Sequence, residues 1–153
     1  MSKTAVWAVL LGVLGAILGS FVAALVTRWP DGRSVMAGRS TCDHCGRTLR
    51  AVDLVPLLSA LVLRGRCRGC GAAISPVHWR IELAGVAIGV AAGIVAPGPV
   101  GVAGAVFGWL LLALASLDLV AFWLPDRLTL LLAGTGLVSG EVGIEPPLLA
   151  RVI

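Results

Sequence analysis

The sequence contains no tyrosine, only eight acidic residues and few charges of either sign. Charged residues make up 13% of its 153 residues, whereas soluble domains contain roughly 25%. Hydrophobic residues make up 58%, and the mean hydropathy is +1.00. This composition excludes an ordinary soluble domain and predicts an integral membrane protein.

The basic residues are unevenly distributed. Nine of the twelve lysines and arginines lie between residues 28 and 80, beside three acidic residues, so that segment has a net charge of +6. A basic segment can bind nucleic acid, but this one lies between apolar runs. The positive-inside rule places such a segment in the cytoplasm. We therefore expect the lipid bilayer as a partner and no nucleic acid.

Apolar runs predict the membrane segments. Residues 5–27 contain no charge, and at about 1.5 Å per residue they can cross a hydrocarbon core of about 30 Å. A signal peptide is the alternative, but the run exceeds the usual apolar region of about 7–15 residues, and cleavage would send the arginine-rich segment outside. We expect a retained helix with its N-terminus outside. Residues 81–96 are short for a span, a third span covers about 100–123, and segment 128–139 is short again.

Two glycine patterns predict close packing between helices. Gly15 and Gly19 are four positions apart in the first span, and Gly85, Gly89 and Gly93 repeat every four positions in the second. Glycines at this spacing allow helix backbones to approach each other.

Four cysteines form two C-x2-C pairs that are separated by 21 residues; they are Cys42, Cys45, Cys67 and Cys70. This spacing resembles a four-cysteine zinc ribbon. Disulfides are the first alternative, but a cytoplasmic segment is reducing, and a redox pair would not need two matched knuckles. We predict structural zinc, with His44 and His78 outside the ligand set.

Residues 51–63, AVDLVPLLSALVL, form an apolar island in the polar segment. The island is too short to span a membrane, and Pro56 interrupts it. It either packs under the cysteine knuckles or lies on the membrane surface.

Carboxyl groups within apolar runs are candidate functional residues. Asp118 lies inside the third span, and a carboxylate at membrane depth costs about 3 kcal/mol on insertion scales. Asp118 is therefore a candidate site residue. The alternative is that it lies at the membrane interface and only ends the helix. For Asp126 this alternative is the preferred interpretation. Glu82 lies near one end of the second span, either as a snorkelling residue or as a site residue.

The chain resembles the type IV prepilin peptidase family, the bifunctional leader peptidases and N-methyltransferases of type IV pilus and type II secretion systems. The matching stretches run in one order through most of the sequence; they are GAILGSFVAALVTRWP, the two CxxC knuckles with DLVPLLSALVLRGRCRGC, ISPVHWRIEL and SLDLVAFWLPDRLTL.

The expected fold is an all-α polytopic membrane protein with a small cytoplasmic four-cysteine zinc-ribbon-like insert. Its expected parts are a first transmembrane helix in residues 1–27, a cytoplasmic zinc-binding loop in 28–80, and transmembrane helices of an incomplete peptidase domain in 81–153. The resemblance implies a location in the bacterial inner membrane.

The resemblance also implies an intramembrane aspartic endopeptidase. Asp118 matches the first catalytic aspartate of the family, and Asp126 matches the aspartate that closes the same pattern without being catalytic. The implied substrates are type IV prepilins or pseudopilins, the implied methyl donor is S-adenosylmethionine, and inner-membrane pilus or secretion components are possible partners.

One departure from the family pattern concerns the second catalytic aspartate, which belongs to a Gly-x-Gly-Asp motif. The 153 residues contain no such motif. We therefore expect that the chain is an incomplete prepilin peptidase and does not cleave prepilin alone. The alternatives are a non-catalytic, membrane-anchored zinc-ribbon binding protein and a helper subunit of a pilus assembly platform.

Overall fold

A computed structural model describes residues 2–36 and 39–141. These residues form five α-helices and one short 3-10 helix, Ala51–Leu54. The helices are α1 (Lys3–Arg28), α2 (Leu58–Val62), α3 (Val77–Val95), α4 (Pro99–Ala121) and α5 (Asp126–Glu141). The described ranges contain isolated β-bridges but no β-strand, which confirms the predicted all-α class. Residues 142–153 of the predicted third part lie outside the described residues.

Three of the described helices, α1, α3 and α4, are long and apolar enough to cross a membrane. Helix α3 begins four residues earlier than predicted, at Val77, because Pro76 provides a helix start and the Ser75 hydroxyl accepts from the Val77 N–H at 3.4 Å. The extra turn lengthens α3 to 19 residues, or about 28 Å, so the segment is no longer short for a span. Helix α5 is 16 residues long and is not among these three.

Helices α1 and α3 pack antiparallel along their glycines. A Cβ added to Gly19 would lie 2.8 Å from Glu82 Cα, and one added to Gly93 would lie 2.6 Å from Ala8 Cα. Between these two points, a Cβ on Gly85 would meet the backbone of Gly15. The predicted close packing is confirmed, and any side chain at these positions would push the two backbones apart.

The core of the helical part consists of two clusters at different levels along the helices. One cluster contains Leu11, Ala105 and Trp109. The other joins the last turns of α1 and α4 to the first turns of α3; its buried members are Val22, Ala23, Leu25, Val26, Ile81, Ala113 and Leu117. We call the end with the second cluster the module end, because the cysteine module, residues 39–75, connects to α3 there.

Aromatic rings also join α1 to α4 at the module end. The rings of Trp29 and Trp123 meet edge to face with centroids 5.3 Å apart. Helix α4 ends just before, where Phe122 adopts a left-handed conformation and donates its N–H to the Asp118 carbonyl oxygen at 2.9 Å. The end of the third span is therefore placed beside the end of the first.

Candidate metal centre and membrane carboxylates

The two cysteine knuckles have the same backbone structure. In each knuckle, the N–H of the first cysteine (Cys42 or Cys67) donates to the carbonyl oxygen five residues later, at 2.9 and 2.8 Å. The glycine that follows the second cysteine, Gly46 or Gly71, returns an N–H to the first cysteine's carbonyl oxygen at 2.9 Å. Both glycines have φ near +70°, a conformation that side chains disfavour. The repeat in the sequence is thus a repeat in structure.

The four cysteine sulfurs come together although the knuckles are far apart in sequence. All four Sγ atoms lie within 4.8 Å of one another, and Cys42 Sγ lies 3.9 Å from Cys70 Sγ. Tetrahedral zinc with Zn–S bonds of about 2.3 Å separates sulfurs by about 3.8 Å. Four soft thiol ligands at this spacing could hold a metal ion, and the donor set fits zinc.

Local hydrogen bonds favour a thiolate in this cluster. Backbone N–H groups of Cys70 and Gly69 stabilise the Cys67 thiolate and lower the pKa of Cys67 to about 6. The Ala72 N–H lowers the pKa of Cys70, but desolvation and the neighbouring thiols outweigh it and raise that pKa to about 11. Metal ligation requires deprotonated sulfurs, so the N–H groups that stabilise the Cys67 thiolate favour its ligating form.

The two histidines of this region are not in the sulfur cluster. The metal-ligand group found in the described residues contains the four cysteines alone. His44 is exposed in the first knuckle, and His78 lies in the first turn of α3. That neither histidine is a ligand stays a prediction.

An ion pair attaches the apolar island to the second knuckle. Arg68 Nε donates to Asp53 Oδ1 at 2.8 Å, and Asp53 Oδ2 accepts from the Arg50 N–H at 3.2 Å. These two partners lower the pKa of Asp53, with Arg68 contributing most. The Asp53 side chain is only 4% exposed. Sequence reasoning missed this pair, although a lone acid inside an apolar island indicates a need for a partner.

Glu82 has a specific partner in the island. Its side chain is buried in α3, with 8% of the residue exposed, and Oε2 accepts from the Leu57 N–H at 2.8 Å. The glutamate therefore does not extend toward water as a snorkelling residue does. It joins a membrane-spanning helix to the island across 25 positions of sequence.

Asp118 lies on the exposed side of α4 in the described structure. The preceding residue, Leu117, is fully buried in the cluster at the module end, so the Asp118 backbone is held there while its side chain faces outward. Among the described residues, this side chain has no hydrogen-bond or ion-pair partner. Asp126, by contrast, is the first residue of α5, where the helix dipole favours a carboxylate.

A cavity of about 760 Å³ separates the cysteine module from the membrane helices. It is lined by the last turns of α1, by the first turns of α3 and by the island, and its polar lining includes Arg28, Asp43, His78 and Glu82. Asp118 is not among the lining residues. The described structure therefore places the candidate aspartate and the sulfur cluster at the same end of the helices but does not bring them together.

A family model, the bacterial peptidase A24 N-terminal domain, matches residues 13–95. The chain belongs to this family. The matched residues contain both cysteine knuckles, the island and the glycine-lined contact between α1 and α3. The predicted resemblance is thereby confirmed.

The chain is also similar to proteins named prepilin leader peptidase/N-methyltransferase. It is 39% identical to that of Burkholderia pseudomallei over 92% of this chain and 54% of the relative. It is 42% identical to that of Aeromonas hydrophila, over 72% of this chain and 38% of the relative. It is 36% identical to that of Klebsiella pneumoniae, over 96% of this chain and 68% of the relative. The chain spans about half the length of the first of these relatives. No solved structure matches it.

Proposed function

We propose that this chain is part of an intramembrane aspartic endopeptidase that removes the leader peptide of type IV prepilins and N-methylates the new N-terminus. The observation that carries the proposal is its similarity, over 92% of its length, to a protein named prepilin leader peptidase/N-methyltransferase. An intramembrane aspartic peptidase needs a carboxylate that substrate can reach from within the membrane. Asp118 on α4 is the candidate in this chain.

The proposed role of Asp118 follows from carboxylate chemistry. Two neighbouring carboxyl groups cannot both ionise cheaply, so they hold one proton between them and activate a water for attack on a peptide bond. The exposed Asp118 side chain has no partner among the described residues, which leaves it available for a second aspartate. The family pattern provides that aspartate in a Gly-x-Gly-Asp motif, which these 153 residues do not contain. We therefore expect no prepilin cleavage by these residues alone.

The proposed metal is one structural zinc ion held by Cys42, Cys45, Cys67 and Cys70. When bound, zinc contributes folding free energy to a module that is too short to bury a large core. Folding of the second knuckle around zinc would also hold the island in place, because Arg68 in that knuckle pairs with Asp53. S-adenosylmethionine is the expected methyl donor of the N-methyltransferase activity; its site is not assigned to any residue.

The proposed topology places the module end in the cytoplasm. Nine basic residues lie between residues 28 and 80, and the positive-inside rule favours the cytoplasmic side for them. The N-terminus would then lie outside the bacterial inner membrane, and Asp118 would lie near the cytoplasmic face. Prepilins or pseudopilins are the proposed substrates, and pilus or secretion components of the inner membrane are candidate partners.

Cleavage of a prepilin tests the proposal. The full reading frame of the gene is expressed with a prepilin in a host that lacks its own prepilin peptidase, and leader removal is followed by gel mobility and N-terminal mass. We expect Asp118→Asn to abolish cleavage and Asp126→Asn, a matched change eight residues later, to retain it. If the Asp118→Asn variant still cleaves the prepilin, the proposed role of Asp118 is refuted.

The same assay tests the binding-protein alternative. A membrane-anchored zinc-ribbon protein without chemistry would bind metal normally but leave the prepilin uncut in every form. Metal content alone does not separate the two functions, because both require zinc. Absence of cleavage by the full-frame protein, at normal expression and zinc content, would favour the binding protein.

A further inference from the structure

The apolar island, residues 51–63, has an outward surface that the cysteine module does not cover. We propose that this surface inserts into the part of the bilayer leaflet nearest the headgroups at the module end, so that lipid is its partner and the island lies on the membrane surface. The proposal concerns how the module is seated in the membrane and does not depend on the peptidase function. It selects one of the two placements that the sequence left open.

The exposed side chains of the island are apolar. Leu61 and Val62 are each 73% exposed, Leu58 is 61% exposed and Val52 is 59% exposed. None of these side chains belongs to either core cluster of the described residues. Contiguous exposed apolar surface of this kind marks a contact with protein or membrane. These four side chains therefore do not pack under the knuckles.

The charged residue of the island faces inward. Asp53 is the single charged side chain in residues 51–63. Its carboxylate is almost fully covered and paired with Arg68. The outward surface therefore presents no charge that insertion into lipid would have to desolvate.

The hydrogen bond from Leu57 to Glu82 sets the depth of the island. Glu82 lies beside Gly19 of α1, since a Cβ on that glycine would be 2.8 Å from Glu82 Cα. The exposed Arg80 lies two residues before Glu82 in α3, which is about 3 Å of helix. Leu57 is bonded to the Glu82 carboxylate at 2.8 Å, so the island lies close to the level of Arg80.

The cavity beneath the module is lined both by α1 and by the island. Its lining includes Phe21 and Ala24 of α1 and Leu54, Val55 and Ala60 of the island. The island thus runs beside the last turns of a helix that is apolar enough to cross the membrane. Lipid would surround both at this level.

The backbone at Leu57 explains why a carboxyl group is buried there. The chain bends after Pro56, and Leu57 has φ of 59°, between the 3-10 helix and α2. Its N–H lies outside the regular hydrogen bonding of either helix. Non-helical backbone at membrane depth is tolerated only where protein satisfies it. Glu82 provides the acceptor, so the bend can lie within the leaflet.

The ends of the inserted surface carry groups suited to the lipid headgroup region. Arg64, at the end of the island, and Arg80, in the first turn of α3, are exposed. The Arg80 guanidinium lies 5.7 Å from the centroid of the Trp79 ring, which is 40% exposed. Tryptophan and arginine concentrate at membrane interfaces, where arginine attracts lipid phosphate.

Photo-crosslinking in lipid nanodiscs tests the insertion. The full-frame protein carries p-benzoylphenylalanine at Leu61 or Val62, in nanodiscs of phosphatidylcholine and phosphatidylglycerol, and adducts are measured by intact mass. Leu10, exposed on α1, is the positive control, and Thr48, exposed on the first knuckle, is the negative control. We expect lipid adducts at both island positions at about the Leu10 yield and on the order of tenfold above Thr48.

The results are decisive in both directions. Lipid adducts at the Thr48 level, or adducts to protein instead of lipid at Leu61 and Val62, would overturn the proposal. A second measurement tests the anchor: Glu82→Gln keeps an acceptor oxygen, and Glu82→Leu removes it. We expect the Leu61 lipid adduct to survive Glu82→Gln and to fall severalfold in Glu82→Leu at unchanged zinc content. An unchanged adduct in Glu82→Leu would refute the anchoring role.

Discussion

Trp109 of α4 donates its indole N–H to the backbone carbonyl oxygen of Gly85 in α3 at 2.9 Å, within a buried contact of three helices. The third helix is α1, because a Cβ on Gly15 would lie 3.2 Å from the same indole nitrogen. The glycines let α1 and α3 approach, and the tryptophan attaches α4 at that point. One position therefore connects all three candidate membrane spans of the described chain.

Replacing Trp109 with phenylalanine should weaken this connection. The change removes the N–H donor and leaves the Gly85 oxygen with one partner fewer, at a cost of about 1 kcal/mol in the free energy of unfolding. The measurement is reversible unfolding in mixed detergent micelles. Trp123→Phe is the control, because Trp123 is 40% exposed and its edge-to-face contact can be made by a phenylalanine. Equal destabilisation by the two changes would contradict the importance of the buried bond.

Glycines in α1 and α3 should respond to alanine differently from glycines elsewhere. A Cβ at Gly85 meets the Gly15 backbone, which cannot move aside as a flexible side chain can. We expect Gly85→Ala to destabilise by about 1–3 kcal/mol through overpacking. Gly104→Ala in α4 is the matched control, since nothing lies within 4 Å of its added Cβ, and it should be neutral or stabilising by up to about 1 kcal/mol.

Zinc content should depend on the cysteines and not on the nearby histidine. We expect about one zinc per purified chain, lost on Cys67→Ser because three sulfurs no longer close the tetrahedral site. His44→Ala should retain the metal, because His44 is outside the sulfur cluster. Inductively coupled plasma mass spectrometry measures both. Zinc that survives Cys67→Ser, or is lost with His44→Ala, would show a different ligand set.

The Asp53–Arg68 pair should stabilise the attachment of the island to the second knuckle. We expect Asp53→Asn to make residues 51–68 several-fold more sensitive to limited proteolysis in detergent at neutral pH. Asp43→Asn is the control, since Asp43 is 85% exposed and its 3.4 Å pair with Arg33 lies in solvent. Equal sensitivity in the two variants would argue against a role for the Arg68 pair.

The pH dependence of this effect has a definite sign. The native pKa of Asp53 is lowered, so its stabilisation is fully present above the unfolded pKa of about 3.9 and is lost as pH falls through the native value. The difference between wild type and Asp53→Asn should therefore be constant from neutral pH down to about pH 4 and should shrink below it. A difference that changes between neutral pH and pH 5 would indicate another titrating group.

Patterns local in the sequence determined the membrane class, the ligand spacing and the packing faces. An uncharged run, a C-x2-C pair and a glycine every fourth residue each act within a few turns of chain, where helix periodicity sets which side chains meet. For that reason residues 5–27 predict α1 closely, and Gly85, Gly89 and Gly93 predict the face that α1 contacts. The start of α3 was less predictable, because His78 and Arg80 interrupt the apolar pattern although the helix continues through them.

Only the tertiary structure decided how the carboxyl groups are used. Glu82 bonds the Leu57 N–H 25 positions away, and Asp53 pairs with Arg68 15 positions away, so no local pattern contains both partners. Burial of a polar group requires a partner but does not say which one. The sequence by itself therefore marked Glu82 and Asp118 as costly within a membrane. Packing decided that Glu82 is satisfied by the island, while Asp118 faces outward from the described helices.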